Sequence, residues 1–253
     1  MPASPWTIHD DRAVLELPGL QGEVHLLVPA LGLHRIRCHG CEYPQAQLLG
    51  VVGDSIANPT RGDVIEWHVR GCELVAAYRP AADTAMRVDA VWKAMMTEAD
   101  VPAPALELMI SVHTQLLEAW PELSAVSRWP GELVLQLAEC ESEGFNAVRL
   151  APAQPTALGP DAGAPCWLVR EPTRWGCAQM MCPADDQGST LTYWPAPEAA
   201  VRLTHRLFAR QLEKGVLLRG RIRSLLMRAT EEDATVAGLF RAFTAEPPML
   251  STR

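Results

Sequence analysis

Apolar and polar residues alternate along this chain in short segments, and a repeat of two belongs to the β-strand, whose successive side chains point to opposite faces. The pattern is cleanest over residues 106–116. Leu106, Leu108, Ile110, Val112 and Leu116 fall on one side, and Glu107, Ser111, His113 and Gln115 on the other. Ile65, Trp67 and Val69 oppose Glu66, His68 and Arg70 in the same way, and Met86, Val88, Ala90 and Trp92 oppose Arg87, Asp89 and Lys93. Such a strand has one dry side and one side open to water or a ligand. If these strands share a sheet, its polar face gathers carboxylates, imidazoles and guanidiniums.

Prolines and glycines separate the alternating runs, which predicts many short strands. They are expected over 13–17, 23–28, 34–38, 64–70, 73–78, 86–93, 106–116, 123–129 and 133–137. Further strands are expected over 166–170, 178–181, 190–193, 201–211 and 216–227. This is the signature of an all-β fold, a large antiparallel β-sandwich. One short C-terminal helix is expected, capped by Thr230, favoured at its start by Glu231, Glu232 and Asp233, and stopped by Pro247 and Pro248. At 253 residues the chain reads as one sandwich domain, 1–253, and the Ala-, Pro- and Gly-rich stretch 151–165 is a loop or linker and its one internal boundary candidate.

With 48% hydrophobic residues the chain can bury a sizeable core. A formal charge of −8 opposes general affinity for nucleic acid. The absence of a long apolar run argues against a membrane helix, and the N-terminus lacks the pattern of a signal peptide, so a cytoplasmic location with reduced thiols is expected. Seven scattered cysteines do not form a disulfide framework. Cys38 and Cys41 make a C-x-x-C with His34 and His39 close by, but the other close pair, Cys177 and Cys182, is spaced too widely for a zinc motif; small buried thiols and no metal are expected. No nucleophile elbow, phosphate loop or dinucleotide fingerprint occurs, and no cofactor is expected.

The most informative stretch is 201–227. Arg202, Arg206 and Arg210 alternate with apolar residues, and so do Arg219, Arg221 and Arg223. A four-residue loop, Leu212 to Gly215, predicts a hairpin in which Arg206 opposes Arg221 and Phe208 opposes Arg219. Like charges opposed in a sheet are destabilising, so an anion is expected nearby. It is either acidic side chains, Glu231, Glu232 and Asp233 among them, or an anionic ligand such as a carboxylated sugar or a phosphate, which the arginine fork suits.

Acid–base candidates are His113 with Glu107 and His68 with Glu66, since histidine titrates near neutrality; their bland reading is as solvated polar residues on an outer sheet face. Eight tryptophans are many for a chain with four phenylalanines. Trp67 and Trp92 lie on apolar faces and belong to the core, whereas Trp120, Trp129 and Trp194 each precede a proline and are better placed to touch a ligand.

The run from Gly22 to Ile36, with Pro29, Gly32 and His34 between two strands, resembles the opening of galactose-mutarotase-like proteins. That resemblance implies a β-supersandwich, and a family whose members bind sugars in a groove over one sheet and epimerise them with a His and a Glu. The combined expectation is a carbohydrate-binding sandwich acting on an anionic sugar by cofactor-free proton transfer. His113, Glu107, His68 and Glu213 are the catalytic candidates, and Arg70, Arg87, Arg206, Arg219, Arg221 and Trp129 the ligand-binding ones. The alternative is a non-catalytic assembly protein, a homo-oligomer for example, that uses the basic hairpin face and exposed Trp-Pro anchors.

Overall fold

The structure, a computed structural model, describes residues 4–53, 63–79, 86–97, 102–152, 154–158, 163–171, 175–208, 210–228 and 233–246. Its strands run in chain order β1 (Trp6–His9), β2 (Arg12–Leu17), β3 (Leu20–His25), β4 (Leu33–Cys38), β5 (Cys41–Tyr43), β6 (Gln47–Gly53) and β7 (Val64–Arg70). They continue with β8 (Glu73–Tyr78), β9 (Met86–Met96), β10 (Pro104–Thr114), β11 (Glu118–Ala119), β12 (Leu123–Pro130), β13 (Leu133–Leu137) and β14 (Phe145–Ala147). The last are β15 (Thr156–Leu158), β16 (Cys166–Arg170), β17 (Trp175–Met181), β18 (Ser189–Trp194), β19 (Ala200–Leu207), β20 (Leu212–Glu213) and β21 (Leu217–Arg228), followed by helix α1 (Asp233–Ala245).

These strands build an all-β sandwich of antiparallel sheets. A ten-stranded sheet has the order β1-β2-β3-β4-β6-β12-β19-β18-β15, with β5 on the side of β4. A nine-stranded sheet has the order β14-β13-β16-β17-β21-β10-β9-β8-β7, and β11 and β20 form a two-stranded ribbon. No helix among the described residues is long and apolar enough to cross a membrane.

The inward-facing positions of the two sheets merge into one large apolar cluster, in which Trp92, Trp167 and Trp129 are among the largest fully buried side chains. Four polar side-chain groups in this layer join the sheets, which satisfies donors that are costly to bury unpaired, whereas the Trp167 indole N–H has no partner among the described residues. From the ten-stranded side, the Trp6 indole N–H reaches Cys72 O at 3.0 Å and that of Trp129 reaches Trp175 O at 3.2 Å. From the nine-stranded side, Tyr78 O–H donates to Leu26 O at 3.1 Å and the Trp92 indole to Leu49 O at 3.0 Å. Leu49 is bent to φ 56°, its own N–H taken by Ser127 Oγ at 2.9 Å, where the β6–β12 register shifts. The bulge therefore aims the Leu49 carbonyl at the opposite sheet.

Helix α1 lies on the outer side of the nine-stranded sheet. Val236, Ala237, Phe240 and Phe243 recur at helical spacing and pack a second apolar cluster against Leu225, Met227, Ala178 and Met180. The expected helix is present and begins with Asp233; Thr230, Glu231, Glu232, Pro247 and Pro248 lie outside the described residues.

Four expectations are corrected. The hairpin over 201–227 does not exist: β19 pairs with β12 and β18 in one sheet, and β21 with β10 and β17 in the other. Arg206 stands opposite Ser124 rather than Arg221, and Phe208, at φ 61°, lies in the crossing between sheets instead of opposite Arg219. The even spacing that places two apolar sets on one hairpin face also lets two strands face each other across a core. Next, the polar side of 106–116 is only partly open to water, Glu107 being 1% and Ser111 7% exposed while Gln115 is exposed. Leu116, expected on the apolar face, lies past the strand end and is 43% exposed. Third, Ile65 is expelled to the surface by a bulge between Val64 and Glu66. Last, the stretch 151–165 contributes β15 to the ten-stranded sheet.

Candidate functional site

Strand register decides which polar side chains meet. Across the outer side of the nine-stranded sheet, Glu73 pairs with Lys93, Lys93 with Glu107, and Glu107 with Arg223, a row of alternating charge. Opposite charges at directly paired positions are favourable, each by a few tenths to about 1 kcal/mol. Arg223 closes the row: its Nε and Nη2 donate to Glu107 Oε2 at 2.9 and 2.5 Å, and its Nη1 and Nη2 reach Glu246 at 2.9 and 2.6 Å. Burial alone would push the Glu246 carboxyl up, but the hydrogen bonds and charge of Arg223, with Arg221 behind them, hold it below the usual carboxylate range.

Arg221 is held similarly. Its Nη1 contacts Glu246, its Nη2 donates to Phe243 O at 2.8 Å, and its guanidinium sits 4.3 Å over the Phe243 ring. Its backbone N–H donates to Asp185 Oδ2 at 3.1 Å. The countercharge for these arginines is thus Glu107, Glu246 and Asp185. Asp233 serves Arg170 instead, at 2.5 Å.

Beside this network, between β9 and α1, opens a groove of about 550 Å³. Met95, Met96, Leu225 and Leu239 supply its apolar walls, and Lys93, Thr97, Arg223 and Glu246 its polar groups. Its size falls within the range of small-molecule sites, roughly 300–1,000 Å³. In shape and charge its two kinds of wall match a molecule with one flat apolar side and a polar or anionic edge. Lys93 takes part in no ion pair of contact distance among the described residues.

The expected site residues divide. His68, Arg70, Arg87, Glu107, His113, Arg219 and Arg221 all lie on this one outer face by register. They do not gather at one point. His113 is six residues along β10 from Glu107, roughly 20 Å at strand rise, and His68 is three strands away, roughly 14 Å. Arg70 is paired with Glu73 at 2.7 Å and Arg87 with Asp89 at 2.8 Å, while Arg219 Nε donates to Ser111 Oγ at 3.0 Å. Arg206 is exposed on the outer face of the other sheet, and Glu213 lies on the small ribbon. Trp129 is 2% exposed and stacked on Tyr43 at 4.8 Å, so it is a core residue; the proline that follows it ends the strand without bringing the ring to the surface.

Sequence reasoning missed Met95, Met96, Thr97, Leu225, Leu239 and Glu246. The alternation in β9 already put Lys93 on the polar face, but no local signal tells which helix will roof it. The cysteines are free, and among the described residues no three His, Cys, Asp or Glu side chains are arranged to hold a metal.

The architecture is an antiparallel β-sandwich. Over 88% of this chain it is similar to 41% of the GH36 alpha-galactosidase AgaB of Geobacillus stearothermophilus, with a TM-score of 0.52 and 7% identity. Lower-scoring likenesses are an alpha-N-acetylgalactosaminidase of Bifidobacterium bifidum (94% of this chain and 38% of that one, 9% identity, TM-score 0.49) and a candidate aldose 1-epimerase of Escherichia coli K12 (88% and 98%, 13% identity, TM-score 0.46). The chain spans well under half the length of the galactosidases it resembles. No protein-family model matches the sequence, and no curated protein matches it.

Proposed function

We propose that this protein binds a carbohydrate bearing a carboxylate or phosphate, and that the groove between β9 and α1 is where it binds. The observation that carries the reading is the groove's mixed lining, Met and Leu walls facing Lys93, Thr97 and the Arg223–Glu246 pair. A sugar ring has apolar C–H faces and a polar rim, and Lys93 offers a compact cation to an acidic substituent. The sandwich type, found also as part of a galactosidase, agrees with such a ligand. Binding is favoured over turnover, because the His and Glu that would exchange a proton on one sugar carbon are separated along β10. Epimerisation of a sugar remains the activity to assay once a ligand is found.

The experiment is calorimetric titration with galacturonate, glucuronate and a hexose phosphate against galactose and glucose. The acidic sugars are expected to bind and the neutral ones to bind more weakly. Lys93→Met should weaken the acidic sugars by about tenfold, the loss of one charge-assisted contact of roughly 1.4 kcal/mol. Heat from none of the five, or acidic-sugar binding that ignores Lys93→Met, overturns the reading.

A further inference from the structure

A second feature lies at the other end of β10. Of the eight large hydrophobic residues exposed among the described residues, five lie on two neighbouring segments, Leu116, Leu117 and Trp120 after β10 and Val216 and Leu217 at the start of β21. The ribbon ties those segments together, with Ala119 opposite Leu212 and Glu118 opposite Glu213, and the register of β10 sets His113 beside Leu217. Leu117 is 81% exposed and Trp120 65%. Scattered single apolar residues on a surface need no explanation, but five on segments that the strand register brings side by side, an exposed indole among them, do.

Three exposed carboxylates border the patch. Glu118 and Glu213 face each other directly across the ribbon, both exposed, and neither has an ion-pair partner among the described residues. Glu122 is exposed just beyond Trp120. Two like charges at directly opposed positions destabilise a strand pair, so the free protein carries an unfavourable contact that a cation from outside would relieve. Lys214 at the turn of the ribbon and exposed Arg210 at its approach lie on the same segment, so the acidic character is local to Glu118, Glu122 and Glu213.

We propose that this tip docks a protein partner that presents an apolar segment flanked by Lys or Arg side chains. The indole of Trp120 and the Leu117 side chain are the anchors. The Glu118–Glu213 pair selects the basic flank. The surface is separate from the sugar groove, since it begins at His113 and the groove ends at the level of Glu107. The Glu118–Glu213 carboxylates, unpaired among the described residues, also disfavour close approach of an anionic lipid surface.

The test uses the full chain and a fluorescein-labelled amphipathic peptide of leucine and lysine, with a leucine–glutamate peptide of the same pattern as the control, read by fluorescence anisotropy. The leucine–lysine peptide is expected to bind. Leu117→Ser with Trp120→Ser should weaken it by about tenfold or more, the range of a hot-spot loss. Glu118→Gln with Glu213→Gln should weaken it and flatten its salt dependence, whereas the charge-matched pair Glu16→Gln with Glu139→Gln, at exposed positions elsewhere, should not. Circular dichroism and urea midpoints unchanged in the tip variants keep folding out of the result. Equal binding by tip and charge-matched variants overturns the proposal, as does equal binding of the two peptides. Sedimentation that reveals a dimer dissolved by Leu117→Ser replaces the proposed partner with a second copy of this chain. Tip-dependent capture by phosphatidylcholine–phosphatidylserine vesicles in place of the peptide replaces it with a membrane.

Discussion

The guanidinium of Arg223 is shared between two carboxylates of different standing: Glu107, which is 1% exposed, and Glu246 just past the end of α1, whose side chain is 43% exposed. One cation therefore holds a buried strand residue and the end of the helix at once. The groove's polar wall depends on it.

Breaking that arrangement from its two ends should give unequal results. In Arg223→Leu the Glu107 carboxylate is left buried without its partner, and a loss of about 3–5 kcal/mol of stability is expected. In Glu107→Gln, Arg223 keeps Glu246, and a loss of about 1–3 kcal/mol is expected. Urea unfolding of the two variants measures the order, and equal losses would show that Glu246 carries none of the charge balance.

His205 should make the fold sensitive to mild acid. Its ring is fully buried between the sheets, with Nε2 donating to Gln179 Oε1 at 2.7 Å, Nδ1 accepting from Ser189 O–H at 2.9 Å, and Gln179 passing the chain on to Ser224 at 3.1 Å. Burial pushes its pKa down to about 3 from 6.5, so the folded state holds the neutral ring. The sign follows. Above pH 6.5 neither state takes up the proton; as pH falls from 6.5 towards 3, the unfolded chain binds it and the folded one does not. Stability therefore drops across that window, by an order of a few kcal/mol from this group. Urea midpoints from pH 7.5 to 4 read the slope, and an imidazole carbon or proton resonance of His205 that titrates near 6.5 in the native protein would contradict it.

Thiol reactivity should divide into two sets. Burial, and then the neighbouring Cys41, push Cys38 up to about 12, and burial pushes Cys166 and Cys177 up as well. These three stay protonated and inaccessible at neutral pH, whereas Cys41, Cys72, Cys140 and Cys182 are partly exposed. Titration with a disulfide reagent at pH 7.5 is expected to consume four thiols in the native protein and all seven in guanidinium chloride.

Gly32→Ala should be severely destabilising. Gly32 sits at φ 55°, and a Cβ there would stand 2.2 Å from Leu48 O and 2.4 Å from Gly50 N. Backbone atoms on β6 cannot move aside as a side-chain tip does, so a loss above about 2 kcal/mol is expected from strain and lost pairing together. Thermal unfolding checks it; a melting temperature within a degree or two of the parent would mean that β4 and β6 are less closely packed than they stand here.

That glycine marks how far a short motif reaches. The Pro29–Gly32 turn was recognisable as a piece of a known sandwich, and the physical need behind it is the close approach of two backbones, Gly32 and Gly50 from different segments. Strand 47–53 itself went unrecognised, although it joins the two halves of the ten-stranded sheet, because its run of Leu, Leu, Gly, Val and Val has no alternation to read. The polar face was legible as a set of residue types: the strands carrying Glu66, Arg87 and Glu107 do share a sheet and a side. Their spacing across it was not.

By itself the sequence determined what each segment does alone, which side chains of β9, β10 and β21 share a face and that α1 is amphipathic, since period and composition act within a few residues. Which strands become neighbours was decided only by the tertiary structure. β19 and β21 satisfy their alternation equally as a hairpin or as opposite walls of one core, and the choice between these rests on burying Leu203, Leu207, Leu218 and Ile222 against each other across the sandwich. That same choice moved Arg206 to one outer surface and gave Arg223 to Glu107 on the other.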